Sequence, residues 1–444
     1  MRKLLEITLI GALILLVSNG CVLYKATISG LIGENVQKVS INLQNTNHID
    51  QGHNRVYYPE KSEGLAQDVL QILGHQERML TDYFGVGSEN FGVVIFQKVP
   101  ERRVTYIVDA QPKNWSIWPL ELANIETLSH AEEFDALYHT MMHERTEEAV
   151  RNALRRRKGD PYTVNREIRW IGEGLAELLA FRFSKQNSPT AASYWLAGRW
   201  TTLKGSLEKW HLTSYNLRDF KSMGARGSFK KGMEQIKEQL AFMTAYPEFA
   251  AANYAMSFYF WASLEKEKGP RAIRDVISRL KNIKEPTNEN IEYAILDVAG
   301  QPYVDRIGEL HVKEALDFFE DEIRFLIPKL MEGLRSKERP IRMASYEALR
   351  KLDKEVFEVD LSRIPTTAVI QDIIPGSPAY EAGLRRRDII EYVDGLSIED
   401  FDRFSSDVKT TKDDEVEVKV LRGGEVKSFE LPSFAGCKFG SIAR

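Results

Sequence analysis

The chain has 444 residues, with 60 lysines and arginines against 64 aspartates and glutamates, for a formal charge of -4. That is longer than one ordinary domain, so two or three are expected, and a composition 43% hydrophobic and 28% charged is that of a soluble globular protein. The near-balanced charge excludes a globally basic chain of the kind that binds phosphate backbones, and no nucleic-acid partner is expected.

Arg2 and Lys3 precede an apolar run from Leu4 to Val17, broken by Glu6 and a few small or polar residues, and Ser18-Asn19-Gly20-Cys21 follows. A basic start, a short apolar stretch and a small residue before the cut describe a secretory signal over residues 1–20. The run is short for a bilayer span, which needs about 20 apolar residues. Gly20-Cys21 resembles the bacterial lipoprotein box, with Ser18 where that box prefers Leu. The resemblance implies that Cys21 is lipidated and tethers the chain to a membrane, on the periplasmic or extracytoplasmic face of a bacterial cell envelope. An ordinary cleaved signal and an uncleaved anchor are the alternatives. Cys437 is the other cysteine, so a lipidated Cys21 leaves no intramolecular disulfide, and Cys437 reads as an inert thiol.

Residues 21–50 are polar and rich in Asn and Gln, which suits a tether or an edge strand. From Gly64 to Tyr83 apolar residues recur at helical spacing (Leu65, Val69, Leu70, Ile72, Leu73, Met79, Leu80, Tyr83), and Gly85 ends that helix. Phe91 to Gln97 predicts a buried strand and Val104 to Asp109 another. A helix over Phe134 to Leu154 stops at the basic segment 155–161, and a second helix runs from about Arg166 to Phe183. Helical patterning then continues to about residue 354, with breaks near Gly224 to Gly227, at Gly269-Pro270, at Pro286 and at Gly300-Gln301-Pro302. Within it Tyr254 to Trp261 is apolar on most sides and predicts a buried helix.

The chemistry lies on the helix over 134–154. His143-Glu144-Arg145-Thr146-Glu147 puts His143 and Glu147 one helical turn apart, and Glu173 follows Glu147 by 26 residues, inside Trp170-Ile-Gly-Glu-Gly-Leu-Ala-Glu177. The pair of segments resembles the HExxH helix and the later glutamate helix of gluzincin peptidases, with Glu147 where that family has its second histidine. The resemblance implies a zinc site with His143, Glu147 and Glu173 as ligands and Glu144 as general base. A carboxylate in place of an imidazole is a permissible zinc ligand, and it makes the site more anionic. A second register overlaps the first: His139 and His143 are also one turn apart, and with Glu173 they complete a two-histidine, one-carboxylate set in which Thr140 holds the base position. The non-catalytic alternative is a polar helix face pairing with Arg145, Arg151 and the 155–158 cluster. Glu177 reads either as a support for a ligand or as a solvent-facing or helix-pairing residue, and Tyr254 either as an oxyanion donor or as aromatic packing. His130, His211 and His311 lack partners at ligand spacing and read as surface residues. No Gly-x-Ser-x-Gly elbow, phosphate loop or dinucleotide fingerprint is present.

From about Phe357 the pattern changes to short alternating strands. Pro375-Gly376 turns the chain, Ser377 suits a helix N-cap, Pro378 the first helical position, and Gly383 the end of a single-turn helix. Pro375-Gly-Ser-Pro-Ala-Tyr-Glu-Ala-Gly-Leu384 followed by Asp388-Ile-Ile-Glu-Tyr-Val-Asp-Gly395 closely resembles a bacterial PDZ domain, with Arg387 where a Gly usually precedes the Asp. PDZ domains bind extended peptide ends by strand addition, which would place a ligand near Ala368 to Ile374, although no Gly-Phe carboxylate-binding loop precedes Ala368. The expected organisation is an α+β chain: signal 1–20, tether 21–50, a mostly helical peptidase-like domain with a small N-terminal sheet lobe at 51–335, a connecting helix at 336–356 and a β-rich PDZ domain at 357–434. That order resembles the glycyl aminopeptidase family. It implies a membrane-anchored zinc peptidase acting on polypeptides in the cell envelope; the alternative is a catalytically inactive lipoprotein of the same fold that binds partners through its PDZ domain.

Overall fold

A computed structural model describes residues 43, 46–85, 90–97, 115–122, 124, 126, 128–154, 169–219, 247–281, 283, 287–361, 364, 366–398, 404, 416–422 and 425–443. The signal segment, Cys21, the strand expected at Val104 to Asp109, the basic segment after Leu154, and the breaks at Gly224 to Gly227 and Pro286 lie outside the described residues. The fold is α+β, with a small sheet at the start, a helical body and a strand-rich module at the end.

The first sheet takes the order β1 (Asn47–Gln51), β2 (Asn54–Tyr58), β3 (Phe91–Gln97), β4 (Ser116–Leu122). β1 and β2 form an antiparallel hairpin, whereas β2, β3 and β4 are mutually parallel. The sheet therefore begins inside the segment expected to be a tether. Helix α1 (Glu63–Phe84) lies against it, burying Leu65, Ala66, Val69 and Leu73 with Val56, Phe91, Val93 and Ile95. It ends where expected, at Gly85 with φ 66°, a left-handed conformation that suits glycine. β4 carries Pro119, which argues against a strand from sequence alone; among the described residues β4 is the outermost strand of this sheet, a position where proline is tolerated.

The site helix starts earlier than its periodicity suggests. α2 (Ala131–Phe134) leads through a π-helical turn, Asp135–Thr140, into α3 (Met141–Leu154). α4 (Arg169–Asn187), α5 (Pro189–Trp210) and α6 (Pro247–Lys268) pack around it. α6 includes the apolar Tyr254 to Trp261 stretch, and Phe258, Phe260 and Trp261 are fully buried. Gly269 then turns the chain at φ 81°, and Pro270 opens α7 (Pro270–Leu280). α8 (Asn288–Ala299) stops at Gly300, also at positive φ, and α9 (Gln301–Gly308) begins there. β5 (Ser214–Tyr215) pairs with β6 (Leu310–His311), and α10 (Val312–Gly333) and α11 (Arg339–Arg350) complete the body.

Gly174, in the middle of the WIGEGLAE segment, explains how α4 and α6 approach so closely. A Cβ there would lie 2.8 Å from the Ser257 carbonyl oxygen and 2.7 Å from Trp261 Cδ1. Because the nearest polar obstacle is backbone, Gly174→Ala must push α6 away. We expect a loss of about 1–3 kcal/mol, the usual range for overpacking, read from urea midpoints. Gly172→Ala, which meets open space, is expected to be neutral or slightly stabilising, since Gly within a helix costs roughly 0.5–1 kcal/mol against Ala.

The C-terminal sheet has the order β11-β10-β8-β7-β12, where β7 is Thr366–Ile373, β8 Ile389–Val393, β10 Val416–Arg422, β11 Glu425–Leu431 and β12 Cys437–Ala443; β9 (Leu396–Ser397) pairs with β8. The short helix at Pro378–Glu381 is capped by Ser377, whose hydroxyl accepts from Tyr380 N–H. Gly383 follows at φ 106°, where a Cβ would meet the Phe429 ring at 2.8 Å. The sheet extends past residue 434, the expected domain end, because β12 pairs along the whole of β7. The expected peptide-binding strand, Ala368 to Ile374, pairs with β12 through Ile373 on one side and with β8 at Ala368 and Val369 on the other. Among the described residues the edges of this sheet are β11 and β12.

Candidate metal centre

α3 is fixed to the N-terminal lobe by Arg145, a residue of the HERTE segment that points away from the acidic cluster. Arg145 is fully buried. Its guanidinium donates to Leu73 O at 2.8 Å, Gln76 Oε1 at 3.2 Å and Asn54 Oδ1 at 2.9 Å, pairs with Glu77, and lies 5.0 Å from the Phe91 ring. The reading of Arg145 as a partner for the neighbouring acidic face is therefore not what the fold does with it.

The opposite side of α3 faces α4. His143 Nε2 is 3.3 Å from Glu173 Oε2 and 3.6 Å from Glu147 Oε1, and on the other side of the ring its Nδ1 is 3.6 Å from Glu177 Oε2. His139 Nε2 is 2.8 Å from Glu177 Oε2, and its ring stacks on Trp195 at 4.6 Å. Two donor sets result, His143–Glu147–Glu173 and His139–His143–Glu177, and both use His143. The alternative register was expected to use Glu173. The helices instead run antiparallel, so one turn back on the first (143 to 139) matches one turn forward on the second (173 to 177), and Glu177 takes that place.

Glu177, read from sequence as either a supporting or a solvent-facing residue, is 1% exposed. Burial alone would raise its carboxyl, but the Arg199 guanidinium, with His143 and His139 nearby, holds it well below the usual range. Glu173 is also buried, and the Arg169 charge followed by His143 keeps it ionised. Arg169 Nε donates to Glu173 Oε1 at 2.9 Å, and its Nη2 donates to the Tyr254 hydroxyl at 2.6 Å. That hydroxyl in turn donates to Glu173 Oε1 at 3.4 Å, so Tyr254 belongs to the cluster as well as to the aromatic helix. Glu147 lies in the field of two other carboxylates, Glu173 and Glu144. Burial, then the Glu173 charge, pushes its carboxyl up to about 8 against the opposing pull of His143. Within this pair Glu147 is the more readily protonated carboxyl. Glu144, half-buried, follows His143 directly on α3 and adds its charge to the Glu147 environment.

The chemistry of these donors can be tested against a cation. Ligands bound to zinc at about 2.0–2.2 Å in a tetrahedron lie about 3.3–3.6 Å apart, and the His143–Glu173 and His143–Glu147 separations are 3.3 and 3.6 Å. The 2.8 Å His139–Glu177 contact is a hydrogen-bond length instead. The first set therefore fits a divalent cation, and Glu177, 3.6 Å from His143 Nδ1, lies on the side from which a carboxylate orients a ligating imidazole.

Arg169 is signalled in the sequence by its i, i+4 spacing to Glu173; Arg199 and Trp195 come from α5 and have no local signal. Trp170 is a core residue, fully buried and stacked on Trp261 at 5.7 Å. His211 and His311 are exposed, as expected. His130 is not a surface residue. It is 5% exposed and its Nδ1 contacts Glu347 Oε1 at 2.8 Å, while Glu347 Oε2 accepts from Ala131 N–H at the start of α2. Burial opposes the charged imidazole, but the Glu347 charge wins and raises His130 above its ordinary value of 6.5; Glu347 is correspondingly lowered. The His130 contribution is thus fully present below pH 6.5 and lost as pH rises through the folded value, whereas the Glu347 contribution is lost on acidification. Urea midpoints of wild type should fall relative to His130→Gln as pH is raised from 6 to 9, and parallel curves would contradict the pairing.

No curated protein matches the chain. Among solved structures it is similar to the crystal structure of an aminopeptidase N family protein from Idiomarina loihiensis, at 12% identity and a TM-score of 0.32, covering 90% of this chain and 69% of that one. Residues 369–422 match the PDZ domain family, and this part of the chain is a PDZ domain.

Proposed function

We propose that the protein is a metal-dependent peptidase whose PDZ domain engages the polypeptide substrate. The observation that carries this reading is the convergence of His143, Glu147 and Glu173 from two helices at ligand spacing. A zinc ion held by them would polarise the scissile carbonyl and lower the pKa of water toward neutrality. Glu144, beside the ligand His143, would take the proton from the attacking water and return it to the leaving amine. Glu177 would orient the His143 ring, itself fixed by Arg199 and His139. Arg169 and Tyr254 would fix Glu173 by one oxygen and leave Oε2 toward His143. PDZ domains bind peptides, and strand addition on this one would use the β12 edge. Lipidation of Cys21 would hold the whole at the cell envelope; no helix among the described residues is long and apolar enough to cross a membrane.

A second reading has its own support. Arg169 and Arg199 already place positive charge on Glu173 and Glu177, so the cluster is partly neutralised by the chain itself, as in a binding protein that has lost catalysis. Hydrolysis of an unfolded polypeptide separates the two. The peptidase reading expects cleavage that is abolished by a chelator and restored by zinc. Cleavage absent with zinc supplied supports the binding protein.

A further inference from the structure

We infer that Arg387 is a positioning residue that couples the PDZ domain to the helix carrying His139 and His143. Arg387 occupies the turn between β7 and β8 at φ 70°, a left-handed conformation that favours glycine and disfavours an arginine. Its backbone N–H donates to Ile370 O at 2.7 Å, so the turn itself belongs to the PDZ sheet. Its side chain leaves that sheet altogether. Nη1 donates to Glu133 Oε1 at 2.9 Å and Nη2 to Glu132 Oε2 at 3.1 Å, both in the first turn of α2.

Glu133 is the residue that starts the site helix. Its carboxylate side chain is fully buried, and its second oxygen, Oε2, accepts from the backbone N–H groups of Ser129 at 2.7 Å and His130 at 3.0 Å. One carboxylate therefore holds the helix start with one oxygen and the PDZ domain with the other. α11 completes the junction from behind. Glu347 binds Ala131 N–H and His130, Met343 forms an apolar cluster with Val369 and Ile389 of the PDZ sheet, and Arg339 pairs with Glu391 on β8. From Ala131 the chain runs through the π-turn to His139 and His143 without a break. A displacement of the β7–β8 turn, whether by a peptide on the sheet or by a mutation, is passed through Arg387 to the first turn of that helix. By linkage, ordering the helix start also holds the PDZ domain in place.

The test uses the full chain with Arg387→Gly, which relieves the backbone and removes only the side chain. Hydrogen exchange of amides 131–143 should accelerate about ten-fold or more, while protection within 369–422 is unchanged or improved. Arg387→Glu should be more severe, because it faces Glu132 and Glu133, and adding Glu132→Arg to it should recover part of the protection. Unchanged exchange in 131–143 would overturn the inference, as would uniform loss of protection through the chain or failure of Glu132→Arg to recover any.

Discussion

Replacing Arg145 by methionine is expected to destabilise the protein by about 3–5 kcal/mol, the range for leaving a buried charge without its partner. The guanidinium is fully buried, and its hydrogen-bond partners lie on α1 and β2, outside its own helix. Methionine fills much of the same volume, so the loss is one of polar partners more than of packing. Glu77 loses its counter-charge, and Leu73 O, Gln76 Oε1 and Asn54 Oδ1 lose donors in a place water reaches poorly. Burial pushes the Arg145 guanidinium down to about 10, which still leaves it charged at neutral pH. Guanidinium titration followed by circular dichroism gives the number. A change below about 1 kcal/mol, the scale of an exposed ion pair, would mean that Arg145 does not anchor the site helix to the N-terminal lobe.

The second large effect concerns catalysis. Glu144→Gln keeps the size of the side chain and the donor set intact but removes the proton acceptor. Peptide hydrolysis should fall by about 10²–10⁴-fold, the usual contribution of a general base, with the fall in kcat and with cation content unchanged. A variant as active as wild type would assign the proton transfer elsewhere.

Much of this fold was legible because local rules and tertiary structure agree. The apolar spacing of α1, the αL stop at Gly85 and the Gly269-Pro270 break are each enforced by backbone or periodicity within a few residues. The same holds for the PDZ segment, where Ser377, Pro378 and Gly383 do in the structure what their types suggest. The failures share a cause. Pro119 hides β4 because nothing local says that its strand is an edge. The β7 edge is covered by β12, which lies more than sixty residues later in sequence and carries no turn or motif that signals the pairing. His130 reads as a surface residue, and Glu177 stays open between two readings, because an isolated polar residue defaults to the surface. Their partners, Arg199 and Glu347, come from other elements. The antiparallel crossing of α3 and α4 decides that His139 meets Glu177 and not Glu173, and spacing along the chain cannot give the direction of a crossing.

The central claim is that His143, Glu147 and Glu173 hold a divalent cation. Zinc content of the purified chain after dialysis against excess zinc tests it most directly, with His143→Ala, Glu173→Ala and His139→Ala alongside. The account predicts about one equivalent in wild type, as for a single site built from a three-ligand set. The equivalent should be lost in His143→Ala and Glu173→Ala and retained, with weaker affinity, in His139→Ala. Wild type without bound zinc, or an equivalent that disappears with His139→Ala and survives Glu173→Ala, would contradict it.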